Sequence, residues 1–222
     1  MTKFTRRSLI ASGASLSVVS VCPACAHEPV QATGGATSYL ATLRAASVTP
    51  ITREEYAAAA ASLQVETEAL CAAAFVEGGR GSGYDASGRL LVLFEPHVFS
   101  RRTNRRYDVS HPTISYPAMD SRRYPRTQDE RWEQVVAAYE LAPNEALEST
   151  SWGAFQLMGY NYQGAGFDTV QAFVTALSRS PQEQLAAWTR WLTANGLVDE
   201  LQRKDWAGFA QGYNGPGYAA SN

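Results

Sequence analysis

One carboxylate stands out in the stretch FVEGGRGSGY, which covers residues 75–84. Glu77 closes an alanine-rich apolar run that predicts a helix from about Glu66 to Val76, and the glycines after it are typical of a helix end. Four residues share one face of this predicted helix at positions i, i+3, i+4 and i+7: Leu70, Ala73, Ala74 and Glu77. Glu77 is therefore expected on the apolar face, beside small side chains that leave room for a ligand.

The expected surroundings of Glu77 disfavour its charged form. Burial removes the carboxylate from water, and the C-terminal end of a helix dipole is negative. Both effects raise the pKa of a carboxyl group. A carboxylic acid that stays protonated near neutral pH can serve as the general acid of glycoside cleavage. The alternative interpretation is a helix-end glutamate that points into solvent.

Two further clusters place polar side chains next to apolar sequence. FEPH (residues 94–97) supplies a second carboxylate, Glu95, at the end of a short apolar run. STSWGAFQLMG (residues 149–159) holds Ser151 and Gln156, and Gln156 is a polar residue inside an apolar stretch. Each feature has a structural interpretation as well, because such a glutamine can hydrogen-bond to the backbone and the neighbouring histidine can belong to the core.

A third cluster, YNGPGY, covers residues 213–218 and is typical of a rigid turn. It adds the phenol of Tyr213 and the amide of Asn214 to the inventory, and the alternative is a turn with no further role. Taken together, the clusters offer an acid with amide and aromatic groups around it. That combination favours a cleft for a polymer of N-acetyl sugars.

The elements that must position these groups are mostly helical. A capping box at residues 52–55 predicts a first helix that runs to about Ser62. The apolar run 89–95 predicts one strand. Apolar periodicity and helix-start signals predict further helices in the second half, near 129–141, after Pro143, and at 169–177, 181–195, 197–203 and 206–211. The fold class is therefore α+β, mostly α-helical, with a small β element.

Residues 100–130 predict a long irregular loop between the strand and the second half. The loop holds seven arginines, interleaved with tyrosines. One interpretation is a solvated surface loop. The other is the wall of a groove for an anionic or sugar polymer, because arginine offers donors and tyrosine offers flat faces.

Composition narrows the functional classes. The chain has 222 residues, enough for one good core, with 19 basic and 21 acidic residues. The chain therefore lacks the excess of basic residues that is typical of nucleic-acid-binding proteins. The three histidines are scattered, so we expect no metal site and no cofactor. We expect a monomer.

The first 26 residues predict an export signal. Arg6 and Arg7 lie in a basic segment without acidic residues, an apolar stretch of about 13 residues follows, and a small-x-small site ends at Ala26. The paired arginines favour the twin-arginine route. The alternatives are a chance Arg-Arg pair in an ordinary secretory signal, an uncleaved anchor and, less favoured, a lipoprotein signal at Cys25. The apolar stretch is shorter than the ~20 residues of a membrane span. The predicted organisation is thus a signal peptide over 1–26, a linker over 27–50 and one domain over 51–222, in a periplasmic or extracellular protein with no membrane span after cleavage.

On the motifs EGG, LFEPH, SWGAFQLMG and YNGPGY, the chain resembles the N-acetylmuramidase domain of many phage endolysins, within the lysozyme-like superfamily. It is also similar, more distantly, to goose-type lysozymes and lytic transglycosylases. The resemblance covers roughly residues 51–218. It implies Glu77 as the catalytic acid and Glu95 as a supporting carboxylate. It also implies four residues that line the cleft: Ser151, Gln156, Tyr213 and Asn214.

The resemblance implies cleavage of the β-1,4 bond between N-acetylmuramic acid and N-acetylglucosamine in peptidoglycan glycan strands. If Glu95 has only a structural role, a single-acid lytic transglycosylase that forms anhydro-muramic ends is the alternative. A non-catalytic peptidoglycan-binding protein is a further alternative, favoured by the short sequence after YNGPGY. Retention of Glu77 favours an enzyme.

Overall fold

Short helices and one small antiparallel sheet make up the computed structural model, which describes residues 36–78 and 81–215. The α-helices in these ranges are α1 (Ala36–Thr42), α2 (Arg53–Ser62), α3 (Thr67–Gly78), α4 (Pro96–Arg102), α5 (Gln128–Leu141), α6 (Pro143–Glu148), α7 (Val170–Arg179), α8 (Pro181–Ala194), α9 (Val198–Arg203) and α10 (Trp206–Asn214). The strands are β1 (Val92–Phe94), β2 (Thr150–Trp152) and β3 (Leu157–Met158), in that order across the sheet. The predicted class, α+β with mostly helix, is confirmed.

Helices α2 and α3 form where local signals predict them. The Thr52 hydroxyl accepts the Glu55 N–H at 3.2 Å, and the Glu55 carboxylate accepts the Thr52 N–H at 2.8 Å, so the capping box is complete. Helix α3 buries Leu70 and three of its alanines, Ala69, Ala73 and Ala74. It extends to Gly78, and Glu77 is therefore the penultimate residue of the helix.

The sheet has one face in the core. Phe94 pairs with Thr150, and Val92 pairs with Trp152. The side chains of Phe94 and Trp152 are fully buried. Because side chains alternate along a strand, Leu93 and its partner Ser151 lie on the opposite face. Strand β1 covers Val92–Phe94 and is therefore shorter than the predicted run 89–95.

Glu95 lies at the junction between β1 and α4. Its N–H donates to the Ser149 carbonyl at 2.8 Å, which extends the ladder by one residue beyond β1. Pro96 then begins α4, in agreement with the preference of proline for the first helical position. Glu95 therefore follows Leu93 on the sheet face that carries Ser151.

The core lies between the sheet and the helices of the second half. Helix α5 packs against β1 and α6, while α7 packs against α6 and α8. The indole of Trp132 on α5 meets that of Trp152 edge-on at 5.9 Å and donates to the Leu90 carbonyl at 3.0 Å. No single helix in the described ranges is long and apolar enough to cross a bilayer; α2 and α3 together have sufficient length and apolarity but are bent by 109°.

Residues 36–50 differ from the expected linker. Helix α1 packs on α5, with the rings of Tyr39 and Tyr139 stacked at 5.9 Å. Leu40 and Leu43 are buried, and the Ala45 N–H donates to the Gly88 carbonyl at 2.9 Å. The alanine- and threonine-rich composition of this segment gives little local indication of a packed helix. The segment is part of the folded structure because Leu40 and Leu43 are buried against the rest of the fold.

The predicted loop over 100–130 is found largely as expected, although its first residues belong to α4. Turns and a 3₁₀ helix at Ser121–Arg123 connect α4 to α5. Tyr107 anchors the loop, since its ring stacks on Phe99 at 5.7 Å and its hydroxyl donates to the Leu141 carbonyl at 2.8 Å. The expected turn at 213–218 begins instead as the end of α10, and residues 216–222 lie outside the described ranges.

Candidate active site

Glu77 lines a small apolar cavity between α3 and α10. The cavity has a volume of about 150 Å³, and its walls are Ala72, Ala73, Val76, Glu77, Trp206, Phe209 and Ala210. The alanines of α3 leave this space open, as their size predicts. Glu77 is partly buried on the same face as Leu70, Ala73 and Ala74, in agreement with the helical spacing.

Burial raises the pKa of the Glu77 carboxyl group. A hydrogen bond from the Asn214 side chain acts in the opposite direction and offsets part of this effect. The Asn214 amide also donates to the Ala210 carbonyl at 3.3 Å, which its two N–H groups allow. Glu77 therefore has the surroundings of a carboxyl group that holds its proton at higher pH than an exposed glutamate.

Tyr213 lies near Glu77 but is held by other parts of the protein. Its hydroxyl donates to the Phe155 carbonyl at 2.8 Å and accepts the Trp188 indole N–H at 3.1 Å. Burial and the negative charge of Glu77 raise the pKa of this phenol above its usual range. These contacts give Tyr213 a structural role at the wall of the site; a direct contact with substrate stays a prediction, as it does for Asn214.

Glu95 is the more enclosed carboxylate of the two, with a side chain 15% exposed. The Tyr124 hydroxyl donates to its Oε2 atom. Burial raises the pKa of Glu95, and the hydrogen bond from Tyr124 opposes that shift because it stabilises the charged form. The pKa of Tyr124 is raised in turn by burial and by Glu95, so the phenol remains a donor.

His97 lies beside Glu95, with its Nδ1 atom 3.4 Å from Glu95 Oε2. Burial and the positive charge of Arg101 lower the pKa of His97, so the ring is expected to be neutral near neutral pH. The contact with Glu95 is then not an ion pair. The buried Nδ1 atom has no hydrogen-bond partner among the described residues.

Ser151 and Gln156 are linked across the β2–β3 hairpin. The Ser151 hydroxyl donates to Gln156 Oε1 at 2.9 Å, and Gln156 Nε2 donates to the Gly153 carbonyl at 2.7 Å. Gln156 is exposed, and its backbone is in the left-handed region at φ 45°. Nε2 carries a second N–H, which is available to a ligand.

The turn of this hairpin connects the surroundings of the two carboxylates. A Cβ added to Gly78 would lie 3.1 Å from the Ala154 carbonyl oxygen, so the end of α3 approaches the turn more closely than most side chains allow. Tyr213 fastens the same turn at Phe155. On the other side, β2 carries Ser151 on the face of Glu95. Among the described contacts no hydrogen bond joins Glu77 to Glu95, and the largest cause of each pKa shift is burial.

Sequence reasoning missed Gln184, which fixes this hairpin turn from α8. Its side chain is 1% exposed; Oε1 accepts the Ala154 N–H at 2.7 Å and Nε2 donates to the Leu177 carbonyl at 3.2 Å. It fills the space beside Gly83 and Gly153, where an added Cβ would lie 2.2 Å and 2.6 Å from Oε1. The available signal was a glutamine four residues before Trp188 on the apolar stripe of the predicted helix.

Sequence reasoning also left Tyr124 without a role at Glu95. The tyrosine lies in the long loop, 29 residues after Glu95, and no periodic pattern connects the two. Only the folded path of the loop brings the phenol to the carboxylate. A tyrosine interleaved with arginines was the sole feature visible in the sequence.

Comparisons with known proteins identify the family of the chain. A family model described as N-acetylmuramidase matches residues 66–222, which include both glutamates and the hairpin. The chain belongs to the N-acetylmuramidase family. Its predicted resemblance to this family of glycoside hydrolases is confirmed.

A solved structure supports the same family assignment. The crystal structure of Burkholderia AP3 phage endolysin is 33% identical, with a TM-score of 0.69. The match covers 77% of this chain and 65% of the endolysin chain, so this muramidase-family chain spans about two thirds of the endolysin's length. A sequence comparison with curated proteins found no significant match.

Proposed function

We propose that the protein cleaves the β-1,4 bond between N-acetylmuramic acid and N-acetylglucosamine in peptidoglycan, with Glu77 as the general acid. One observation supports this role above the others. Glu77, the penultimate residue of α3, lines an apolar cavity, and burial raises the pKa of its carboxyl group. A carboxylic acid that is still protonated at the working pH can donate its proton to the oxygen of the leaving sugar.

Glu95 takes the second role in this proposal. As the Glu77 proton moves to the glycosidic oxygen, the bond to the anomeric carbon breaks and positive charge develops on the sugar. A carboxylate at Glu95 stabilises that charge or activates the attacking water. Burial raises the pKa of Glu95, and the hydrogen bond from Tyr124 opposes this shift in favour of the charged form that either role requires. Glu77 regains a proton from the solvent after the product leaves.

Polar groups around the hairpin hold the sugars in this proposal. Gln156 and Asn214 are exposed and present amide groups that pair with N-acetyl substituents. Ser151 orients Gln156 through its hydrogen bond to Oε1. Tyr213 holds the hairpin turn beside Glu77, so it acts on substrate through the backbone of Phe155.

The experiment that tests the function is digestion of purified cell-wall sacculi followed by mass spectrometry of the released fragments. Reducing N-acetylmuramic acid ends are the expected product. Anhydro-muramic ends would show that the reaction is lytic transglycosylation and not hydrolysis. Reducing N-acetylglucosamine ends would show that the bond cleaved is the one on the other side of N-acetylglucosamine. If the folded protein releases no fragments, the proposal is wrong and a non-catalytic wall-binding role takes its place.

We also propose that the protein is exported to act on the wall from outside the cytoplasm. The basis is the order of basic segment, apolar stretch and cleavage site in residues 1–26, which lie outside the described ranges. Replacing Arg6 and Arg7 by lysine is expected to stop the export of a fused, folded reporter that needs the twin-arginine route. Undiminished export of that reporter would contradict the route.

A further inference from the structure

A second cavity lies next to Glu95, and neither Glu77 nor Glu95 lines it. Its volume is about 370 Å³, and it is lined by His97, Ser100, Arg101, Asn104, Arg105 and Pro117. We call it the arginine cavity. His97 joins it to the candidate active site, because the Nδ1 atom of that ring is 3.4 Å from Glu95 Oε2.

The four arginines between residues 101 and 106 divide into two pairs according to their contacts. Arg102 forms an ion pair with Glu148, and Arg106 lies over the ring of Tyr107 with 4.7 Å from the guanidinium carbon to the ring centre. Within the described ranges, the guanidinium groups of Arg101 and Arg105 form no ion pair or hydrogen bond. Arg101 and Arg105, whose guanidinium groups have no such partner within the described residues, both line the arginine cavity.

Asp108, the carboxylate bonded to the cavity-lining Ser100, already accepts hydrogen bonds from hydroxyl groups. Ser100 donates to one oxygen of Asp108 at 3.0 Å, and Ser115 donates to the other at 2.6 Å. Asp108 therefore does not occupy either arginine. Because the positive charge of Arg101 also helps to keep His97 neutral, the two guanidinium groups are the unpaired charges that line the cavity.

The backbone after α4 makes a tight turn between Arg101 and Arg105. The Arg105 N–H donates to the Ser100 carbonyl at 2.6 Å, and the Asn104 N–H donates to the Arg101 carbonyl at 3.2 Å. Asn104 and Arg105 adopt φ angles of 53° and 60°, in the left-handed region that side chains with a Cβ rarely adopt. This turn brings the backbone of Arg105 back to Ser100 near the end of α4. Arg101 and Arg105 both line the arginine cavity.

We propose that the arginine cavity binds a carboxylate of the peptidoglycan strand adjacent to the bond that is cleaved. Guanidinium groups offer a planar set of donors that matches a carboxylate in two-point contact. Peptidoglycan has two sources of this group: the stem peptides, and the lactyl group of muramic acid wherever the peptide has been removed. This inference rests on the proposed function, because it takes the substrate to be peptidoglycan.

The test measures binding without cleavage. The Glu77→Gln protein is titrated with three soluble glycan fragments: strands with stem peptides, strands stripped of peptides, and stripped strands whose lactyl carboxylates are converted to amides. Adding Arg101→Gln and Arg105→Gln is expected to weaken binding about tenfold to a fragment whose carboxylate enters the cavity, since charge-assisted hydrogen bonds are lost. A loss restricted to peptide-bearing strands assigns the stem carboxylates, and a loss restricted to stripped strands assigns the lactyl group.

The matched control removes the same amount of charge elsewhere in the loop. Arg106→Gln with Arg122→Gln changes two arginines that do not line the cavity, and Arg122 already pairs with Asp120. This control is expected to change binding less than about twofold, as exposed pairs contribute little. An equal loss in the control, an equal loss on amidated strands, or no loss on any fragment would overturn the proposal.

Two further measures keep the test decisive. If the double glutamine variant does not fold, Arg101→Lys with Arg105→Lys retains the charge but loses the planar donor set, and a smaller loss on the same fragment is expected. Since binding is measured in a protein that lacks the Glu77 acid, the result does not depend on the reaction. Absence of cleavage by the wild-type protein would refute the proposed function. The binding ratios decide separately whether the arginine cavity binds a carboxylate.

Discussion

At the level of single residues, Glu77 and Glu95 differ in the group whose hydrogen bond opposes the rise in pKa that burial causes. Burial raises the pKa of both carboxyl groups. Glu77 faces the amide of Asn214, while Glu95 accepts a hydrogen bond from the phenol of Tyr124. Paired carboxylates divide acid and base roles when their surroundings separate their titrations. We therefore infer that Tyr124 is the group that keeps Glu95 available as a carboxylate.

Replacing Tyr124 by phenylalanine tests this inference. The change removes a donor that favours the charged form, so the pKa of Glu95 rises further. Activity that needs the Glu95 carboxylate is then lost at a higher pH than in the wild type. The acidic limb of the pH profile of kcat/KM is expected to move to higher pH, with a loss of about tenfold below it. The measurement is fragment release from sacculi across pH.

The control is Tyr116→Phe, because the Tyr116 hydroxyl is buried without a hydrogen-bond partner in the described ranges. Its removal is expected to leave the acidic limb in place. An unchanged limb in the Tyr124 variant, or an equal shift in both variants, would show that Tyr124 does not control Glu95.

The raised pKa of Glu77 also predicts how stability depends on pH. The folded protein binds the Glu77 proton more tightly than the unfolded chain does. Stability contributed by this group is therefore lost as pH rises from the ordinary glutamate pKa through the folded value. In urea, Glu77→Gln is expected to unfold at higher concentration than the wild type at pH 7.5, and at a similar concentration at pH 3.5. Glu54→Gln, at an exposed position of α2, is the control; a Glu77→Gln protein no more stable at pH 7.5 would contradict the burial effect.

At the scale of elements, the β2–β3 hairpin holds the site together. Its turn contacts the end of α3, Tyr213 on α10 and Gln184 on α8. The turn contains Gly153, whose φ of 74° and close approach to Gln184 exclude a larger residue. We infer that the position of Glu77 relative to the sheet depends on these contacts more than on the sheet itself.

Gln184→Leu tests the role of the hairpin. The change leaves the Ala154 N–H and the Leu177 carbonyl without their partner in a buried place. The free energy of unfolding is expected to fall by about 2–3 kcal/mol, the cost of buried unpaired polar groups. Cleavage should fall as well, because the turn beside Glu77 loses its anchor. Gln182→Leu, on the same helix but less buried, is expected to change both quantities little; equal effects would contradict the assignment.

Local signals predicted much of the fold because they act within a few residues. The capping residues Thr52 and Ser180 start α2 and α8, and the spacing of apolar residues gives the face on which Glu77 lies. Contacts between distant residues could not be predicted in this way. Examples are the bond from Tyr124 to Glu95 and the fixing of the hairpin by Gln184.

At the scale of the whole molecule, the segment before α2 is part of the packed structure. Leu43 is 1% exposed, whereas Val48, five residues later, is 52% exposed. Leu43→Ala is expected to lower the free energy of unfolding by about 2–4 kcal/mol through cavity formation. Val48→Ala should change it by less than about 0.5 kcal/mol. Urea unfolding of both variants is the measurement, and a Leu43 variant as stable as the Val48 variant would restore the linker interpretation.

The central claim for the molecule is that Glu77 supplies the proton for glycosidic cleavage. The most direct measurement is the rate of fragment release from sacculi by Glu77→Gln, beside wild-type protein of equal folded content. Glutamine keeps the shape of the side chain but cannot donate the acid proton. We expect the rate to fall about a thousandfold, in the middle of the range for general acids, with the fold retained. A folded Glu77→Gln protein that releases the same fragments at the wild-type rate would contradict this claim.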